Sequence, residues 1–200
     1  MKYLFIILLG YLLGSSSMAF YLSKLTKKDV RKSGSGNLGA SNTMVLLGWK
    51  AAVLVGIHDI GKAVLAVLLA KWLFAVPYAG EIAGVACVLG HIFPFYLKFK
   101  GGKGLASYIG MTLALNWKLA IVVVVLLVLI TLITDYIVLG TMSTILVVPG
   151  VTFFSAWIPA LILCVATVVM IFKHTENFSR LKNGTEIGFR GAAKGKHRLK

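Results

Sequence analysis

The stretch Leu119-Ala-Ile-Val-Val-Val-Val-Leu-Leu-Val-Leu-Ile-Thr-Leu-Ile-Thr134 decides the class of fold. It contains no charged residue, and Asp135 is the next polar stop. A helix needs about 20 apolar residues to cross a bilayer, so this stretch is typical of a membrane span. The whole chain agrees: its 200 residues are 58% hydrophobic and 14% charged, with a mean hydropathy of +0.90. Since soluble domains carry about 25% charged residues, the sequence predicts an integral membrane protein.

The chain divides into seven apolar segments, of which this stretch is one. They cover residues 3–22, 44–76, 81–97, 105–116, 119–134, 136–149 and 152–172. The second is predicted as one long or broken helix, the fourth is short for a crossing, and Pro149-Gly150 is the predicted break between the last two. We therefore predict an all-α polytopic membrane bundle with seven transmembrane helices in one domain, residues 1–187. A loose basic tail, residues 188–200, is expected to follow.

The first segment has two interpretations. Residues 3–22 resemble a secretory signal with a small-residue cleavage site at 17–19. However, only Lys2 precedes the segment, whereas five basic residues follow it in 23–32. The positive-inside rule then puts the N-terminus outside and retains the segment as the first span. An odd number of crossings leaves the C-terminus in the cytoplasm, as expected for a multi-pass protein of the inner (cytoplasmic) membrane.

The net charge of +15 also admits two interpretations, nucleic-acid binding and membrane flanking. Of the 21 basic residues, 16 lie in 23–32, 98–103 and 173–200, beside apolar spans. This placement favours the positive-inside pattern, with membrane lipids as partners and no nucleic acid. Cys87 and Cys164 lie within apolar stretches without CxxC spacing, so we expect buried apolar residues and neither a disulfide nor a metal site.

Three polar islands interrupt the apolar chain: residues 33–42 (first island), 90–104 (second island) and 174–186 (third island). Each combines glycines with amide, hydroxyl or cationic side chains, which is the chemistry of anion binding. The predicted topology puts all three on the cytoplasmic face. Anion chemistry at a bilayer surface indicates phosphorylated or acyl substrates.

The first island holds four candidate anion ligands, Ser35, Gly36, Asn37 and Gly39. The apolar run from Met44 predicts a helix that begins nearby, and its N-terminal dipole would favour a phosphate. The candidate caps of that helix are Ser41, Asn42 and Thr43. The alternative is a plain glycine-serine turn between two spans.

The second island places Lys98, Lys100 and Lys103 around Gly101, Gly102 and Gly104. It resembles a phosphate loop, although the GxxxxGK[ST] spacing is absent. Positive-inside flanking explains Lys98 and Lys100 equally well, but Lys103 stands between glycines immediately before a span. His91, in the apolar approach, is interpreted as a hydrogen-bonded structural group.

The third island has His174, Asn177 and Arg180 at spacing i, i+3, i+6, which predicts one face of a continuing helix. Glu186 follows Gly184, the predicted helix stop. These side chains could supply a base, an orienting donor and a phosphate clamp; the alternative is an ordinary polar helix end. Earlier in the chain, Asp59 and Lys62 are spaced to pair at membrane depth, either as a structural ion pair, which we favour, or as part of a site.

At these residues the chain resembles the bacterial acyl-phosphate:glycerol-3-phosphate acyltransferase family. The resemblance covers residues 1–186 and rests on Gly14-Ser15, Asp29-x-Arg31, Gly34-Ser-Gly-Asn-Leu-Gly-Ala-Ser-Asn42, Asp59-x-x-Lys62, Gly90-His-x-Phe-Pro94, Lys98-Phe-Lys-Gly-Gly-Lys-Gly104 and His174-x-x-Asn-x-x-Arg-Leu-x-x-Gly-x-Glu186. The chain departs from the family pattern at Ser17, Ser41, Gly61-Lys-Ala63 and Asp135. At Asp135 an arginine is expected before Tyr136, which weakens an anion-binding role for that corner, although Thr141 keeps a hydroxyl there.

The resemblance implies transfer of a fatty acyl group from acyl phosphate to the sn-1 hydroxyl of glycerol-3-phosphate, without a cofactor or metal, by a monomer. The implied catalytic residues are His174, Asn177 and Lys103. The implied substrate-binding residues are Ser35, Gly36, Asn37, Gly39, Asn42, Gly101, Gly102, Arg180 and Glu186. The first island would bind acyl phosphate; Lys103 and the third island would hold glycerol-3-phosphate. Either His174 or a substrate phosphate oxygen would take the proton.

A membrane transporter or exchanger of phosphate or organophosphate is the alternative function. It too would need cationic, glycine-rich loops. Transporters place their site near the midplane and are often built from repeated halves. The sequence shows no convincing repeat, and its islands are predicted on one face.

Overall fold

The computed structural model describes residues 1–32 and 34–193; Ser33 of the first island and residues 194–200 of the predicted tail lie outside the described residues. This part of the chain forms helices joined by turns and contains no strand, which confirms the all-α prediction. The helices are α1 Lys2–Ser15, α2 Met18–Thr26, α3 Ala40–Leu47, α4 Trp49–Leu73, α5 Ala79–Ile92, α6 Leu105–Leu115, α7 Trp117–Thr134, α8 Ile137–Ser155, α9 Trp157–Lys173, α10 Thr175–Lys182 and α11 Phe189–Ala193. Val30–Lys32 and Phe95–Leu97 form short 3₁₀ turns.

Several of these helices are long and apolar enough to cross a membrane. Among the described residues there are five such segments, and the pair α9 and α10, bent by 45°, would make a sixth. Helix α6 has 11 residues, so it is about 16 Å long against a hydrocarbon core of about 30 Å. The polytopic membrane class is confirmed, and the seventh crossing stays a prediction.

The tryptophans mark the helix ends. Trp49, Trp117 and Trp157 begin α4, α7 and α9, and Trp72 is the penultimate residue of α4. All four are exposed, by 59–79%. Trp and Tyr concentrate at membrane–water interfaces because their rings have an apolar body and a polar edge. The two tryptophans of α4 are separated by about 35 Å along its axis, the spacing that a membrane-spanning helix requires.

The contacts cluster into two compact units, Met1–Asn116 (unit 1) and Trp117–Lys200 (unit 2), and each is described by itself. In unit 1, α1 packs directly on α5 through glycines. A Cβ atom on Gly10 would overlap the Ala83 carbonyl oxygen, and one on Gly14 would overlap that of Cys87. Small residues four apart allow close backbone approach between membrane helices. Cys87 is buried in this contact, as predicted, whereas Cys164 of unit 2 is only partly buried, so the prediction is wrong for Cys164.

Two chain breaks shape unit 1. The first span bends at Ser16, and Ser17 begins α2 by accepting a hydrogen bond from the Phe20 N–H at 3.3 Å. The second segment is broken rather than continuous, because Gly48 adopts a φ of +83° between α3 and α4. Only glycine adopts this left-handed backbone without strain, so the glycine at position 48 determines where the helix breaks.

The predicted break at Pro149-Gly150 is wrong. Helix α8 continues through Pro149 to Ser155, and the chain turns at Ala156 instead. Proline cannot donate to the carbonyl four residues earlier, which belongs to Ile145. The Thr167 hydroxyl of α9 donates to that carbonyl at 2.9 Å. Neighbouring helices commonly compensate membrane prolines in this way, so the helix survives.

The start of the predicted loose tail is held in place. Asp135, with a φ of +68°, accepts the Phe189 N–H on its carbonyl at 2.6 Å and the Arg190 N–H on its carboxylate at 2.8 Å. Arg190 also donates to the Leu132 carbonyl at 3.0 Å. The residue that departs from the family pattern therefore anchors α11, and the expectation of a loose tail is wrong for 188–193.

Candidate active site

The first island folds around the side chain of Asn42, which is 4% exposed. Its Oδ1 accepts the Ser35 N–H at 2.9 Å, and its Nδ2 donates to the carbonyls of Val30 at 2.8 Å and Asn37 at 3.0 Å. These hydrogen bonds occupy both the carbonyl oxygen and the amide nitrogen of the Asn42 side chain. Helix α3 begins at Ala40 with Gly39 as its cap, so the prediction that Ser41, Asn42 or Thr43 caps this helix is wrong.

Glycine is required in this loop. Gly34 and Gly36 have φ values of +55° and +72°, and a Cβ atom on Gly34 would overlap the Asn42 Oδ1 atom. Ser35 and Gly36 are exposed, whereas Asn37 and Gly39 are half-buried. The exposed Ser35 and Gly36 therefore precede the N-terminus of α3, where the helix dipole favours anions.

The approach to the first island carries an ion pair. Arg31 donates through Nε and Nη2 to the two carboxylate oxygens of Asp29, at 3.0 and 2.9 Å. This side-chain hydrogen bonding lowers the pKa of the Asp29 carboxyl and raises the pKa of the Arg31 guanidinium. The Arg31 side chain is exposed and the Asp29 side chain is partly exposed, so solvent screens the pair.

The second island is a tight loop built on α5. The N–H groups of Gly101 and Gly102 donate to the carbonyls of Ile92 and His91, both at 3.1 Å. Because these donors are already used, the two glycines contribute close approach rather than direct hydrogen bonds. Lys98 and Phe99 both adopt left-handed backbone, with φ of 53° and 59°, a strained conformation that occurs preferentially at functional sites.

The first and second islands meet at Gly102. A Cβ atom there would overlap the His91 Nε2 atom and lie 3.1 Å from the Leu38 carbonyl oxygen. Gly102 is buried, and the next residue, Lys103, is half-buried. Unit 1 therefore brings together the two glycine-rich islands, as their shared predicted chemistry requires.

A buried ion cluster lies under this meeting point. Lys62 donates to Asp59 Oδ1 at 2.8 Å, which confirms the predicted pair, and also to the Ser16 carbonyl at 2.7 Å. Its third contact is with His91 Nδ1 at 2.9 Å. The cluster thus ties the bend of the first span to α4 and α5, and sequence spacing alone could not reveal the last two contacts.

The third island, in unit 2, is organised by Glu186. Its carboxylate accepts Asn177 Nδ2 on one oxygen and Arg180 Nε on the other, both at 2.6 Å. Asn177 and Arg180 do share one side of α10, as their spacing predicts, and the helix ends before Gly184, at φ +63°. A carboxylate repels a phosphate, so Glu186 is placed to orient the amide and the guanidinium.

His174 stands at a bend and not within a continuous helix. The chain turns by 45° between α9 and α10, so the prediction of one continuing helix is wrong. The His174 ring is 4% exposed, and its Nδ1 donates to the Met170 carbonyl at 2.7 Å. With the proton on Nδ1, the neutral ring carries its lone pair on Nε2, which is the form a general base needs.

The chain is similar to known proteins over nearly its whole length. The sequence profile of the glycerol-3-phosphate acyltransferase family matches residues 4–184, which include the first two islands and the third as far as Gly184. The chain belongs to this family. A glycerol-3-phosphate acyltransferase of Coxiella burnetii is 37% identical over 191 residues, covering 93% of this chain and 97% of that protein.

The fold is also that of a solved glycerol-3-phosphate acyltransferase. The crystal structure of PlsY (YgiH), an integral membrane enzyme, in its glycerol 3-phosphate form has a TM-score of 0.89 and 31% identity, covering 97% of this chain and 98% of that one. The lysophosphatidic acid form has a TM-score of 0.86 and 30% identity, with coverages of 97% and 100%. The resemblance read from the sequence and the integral membrane class are confirmed.

Proposed function

We propose that this glycerol-3-phosphate acyltransferase takes its acyl group from acyl phosphate. The sn-1 oxygen of glycerol-3-phosphate attacks the acyl carbonyl carbon and forms the new ester bond. The bond between that carbon and the phosphate oxygen breaks, and inorganic phosphate leaves. The products are lysophosphatidate and phosphate, with the hydroxyl proton passed to a base. This places the enzyme early in phospholipid synthesis.

The observation that carries the acceptor and product assignment is the family match across 4–184 together with the two forms of PlsY, one with glycerol 3-phosphate and one with lysophosphatidic acid. The same observation makes a phosphate or organophosphate transporter the weaker candidate. An enzyme that binds both a phosphorylated acceptor and an acylated product suits a chain whose polar islands adjoin apolar spans.

Two features support acyl phosphate as the donor. First, two glycine-rich islands meet at Gly102, which suits two phosphate groups, one on each substrate. Second, an acyl phosphate is already activated, so positioning and electrostatic stabilisation suffice for direct transfer. We assign the first island, through Ser35 and Gly36, to the acyl phosphate, with Asn42 holding the loop in shape.

Within unit 2 we assign glycerol-3-phosphate to Asn177 and Arg180, and within unit 1 we assign Lys103 to a phosphate group bound at the second island. Lys103 supplies a cation beside the buried glycine pair, and Arg180 supplies a guanidinium held by Glu186. Each cation would stabilise negative charge on the phosphate group that it binds through charge-assisted hydrogen bonds. In this scheme Glu186 positions Arg180 and Asn177 instead of binding the substrate itself. His174, with its lone pair on Nε2, would take the hydroxyl proton; a phosphate oxygen of the substrate is the competing base.

We further propose seven crossings, with the N-terminus outside and the islands and C-terminus in the cytoplasm of the inner membrane. Helix α6 decides this topology, because a chain that fails to cross there would place Lys118 inside and the third island outside. Single cysteines at the exposed positions Lys28, Lys100 and Lys182 should then be labelled only from the cytoplasm, and one at Lys118 only from outside. External labelling of Lys182 would refute the topology.

The donor is tested by kinetics on the purified protein. Palmitoyl phosphate with glycerol-3-phosphate should give lysophosphatidate, whereas palmitoyl-CoA at the same concentration should give at most about 1% of that rate. Comparable turnover with the thioester would overturn the donor assignment and leave the acyltransferase family intact. Counterflow of labelled glycerol-3-phosphate in proteoliposomes, without acyl transfer, would favour the transporter.

A further inference from the structure

The proposed function assigns no role to one ring nitrogen of His91, Nε2. The side chain is 7% exposed, and its Nδ1 lies 2.9 Å from Lys62 Nζ. Its Nε2 lies on the opposite side of the ring, against Gly102. The ring is therefore a bridge between the buried ion cluster and the glycine loop that precedes Lys103.

The contact with Lys62 decides which nitrogen carries the proton. A lysine ammonium group has donors and no acceptor, so Nδ1 must accept from it and the proton of the neutral ring is on Nε2. The Lys62 ammonium group also donates to Asp59 Oδ1 at 2.8 Å and to the Ser16 carbonyl at 2.7 Å. Three acceptors thus match the three donors of the ammonium group. Asp59 Oδ1 also lies 3.4 Å from His91 Nδ1, but the contact with Lys62 Nζ is the shorter one at 2.9 Å, and it favours the tautomer with the proton on Nε2.

The Nε2–H donor has no hydrogen-bond partner among residues 1–32 and 34–193. Among the described residues, the fully buried side-chain atoms that lack a partner are Ser107 Oγ and Thr131 Oγ1. Nε2 is not one of them, so it keeps some exposure and can donate to an acceptor that enters from outside the chain. It faces the space that any side chain at residue 102 would fill. A glycine at 102 leaves this donor accessible from the loop, beside the Lys103 cation.

We propose that His91 is an anion-binding residue: its Nε2–H donates to a phosphate oxygen held at the Gly101–Lys103 loop. Lys62 and Asp59 act as positioning residues, because they fix the tautomer that makes Nε2 a donor. The assignment rests on the proposed function of this loop as a phosphate site. It explains why an ion cluster is buried directly beneath a glycine loop.

The test compares two substitutions of the same residue. Gln can present an N–H group near the position of Nε2, whereas Leu has a similar size and no donor. His91→Leu should raise the KM for one phosphorylated substrate by about 10- to 150-fold, and His91→Gln should stay within about threefold. His58→Leu is the matched control, because His58 contacts Asp59 and Ser16 in the same cluster without facing the loop. It should also stay within about threefold.

Two further measurements separate this inference from its alternatives. Inorganic phosphate should raise the Tm of the wild-type protein and of His91→Gln, but not that of His91→Leu; this readout does not depend on acyl transfer. In ¹⁵N-histidine NMR, the wild-type His91 ring should show a protonated Nε2 and an unprotonated Nδ1, and Lys62→Met should change this tautomer. An unprotonated Nε2 in the wild type, or equal KM values for the Leu and Gln variants, would overturn the proposal. Failure of acyl phosphate as donor with an intact phosphate-dependent Tm shift would refute the proposed donor alone.

Discussion

Removing the Glu186 carboxylate should release the Asn177 and Arg180 side chains, which it holds in the third island. Glu186 accepts hydrogen bonds of 2.6 Å from both Asn177 and Arg180, and its side chain is 13% exposed. Each charge-assisted hydrogen bond is worth roughly 1.5–3 kcal/mol. Because the Arg180 side chain is 27% exposed, solvent screens part of this energy, and we expect about 2–3 kcal/mol in total. Glu186→Ala should therefore lower kcat/KM for glycerol-3-phosphate by about 30- to 140-fold.

The chain offers a matched control on the same arginine. Glu176 lies 3.8 Å from Arg180 Nη1, but its side chain is 78% exposed, so this pair should contribute little. Glu176→Gln should change kcat/KM by less than about twofold. The assay is acyl phosphate-dependent formation of lysophosphatidate at varied glycerol-3-phosphate, with Tm followed to confirm folding. A similar loss of kcat/KM in both variants, or no loss in Glu186→Ala, would refute the proposal that Glu186 positions Asn177 and Arg180.

Three further predictions follow from other parts of the structure. Lys103→Ala should lower kcat/KM by about 10- to 150-fold while the protein still folds in detergent; near-normal turnover with both substrates subsaturating would contradict its assignment. His174→Gln should lower kcat by about 10²–10⁴-fold if His174 is the base, whereas full recovery of turnover at saturating glycerol-3-phosphate would assign the proton to a substrate phosphate. Thr167→Val should lower Tm by about 2–5 °C through the lost bond to the Ile145 carbonyl; an equal effect of Thr152→Val, whose hydroxyl bonds within its own helix, would refute this account of Pro149.

Hydrophobic length and local spacing predict much of this molecule. The spans follow from apolar runs, and the Asp59–Lys62 pair follows from i, i+3 spacing on one helix. The shared face of Asn177 and Arg180 follows in the same way. These features depend on residues close in sequence, so the geometry of a helix is enough to derive them.

The features that the sequence left open or mispredicted depend on distant contacts. Proline rules predict a break at Pro149, but the Thr167 hydroxyl of another helix compensates for it. Asn42 was expected near a helix cap or a ligand, and its long-range bonds make it the organiser of its loop. Two hydrogen-bond partners of Lys62, Ser16 and His91, lie 46 and 29 residues away in sequence. The Gly90-His91 pair ahead of Gly101-Gly102 is a sequence signal that could have indicated the role we propose for His91.

The central claim is direct acyl transfer from acyl phosphate to glycerol-3-phosphate. The most direct measurement follows phosphate and lysophosphatidate together in the purified enzyme, with and without the acceptor. Direct transfer predicts equal amounts of the two products and no release of phosphate before glycerol-3-phosphate is added. A stoichiometric burst of phosphate without acceptor would show an acyl-enzyme, and lysophosphatidate formed without phosphate release would show a different donor; either result would contradict the account.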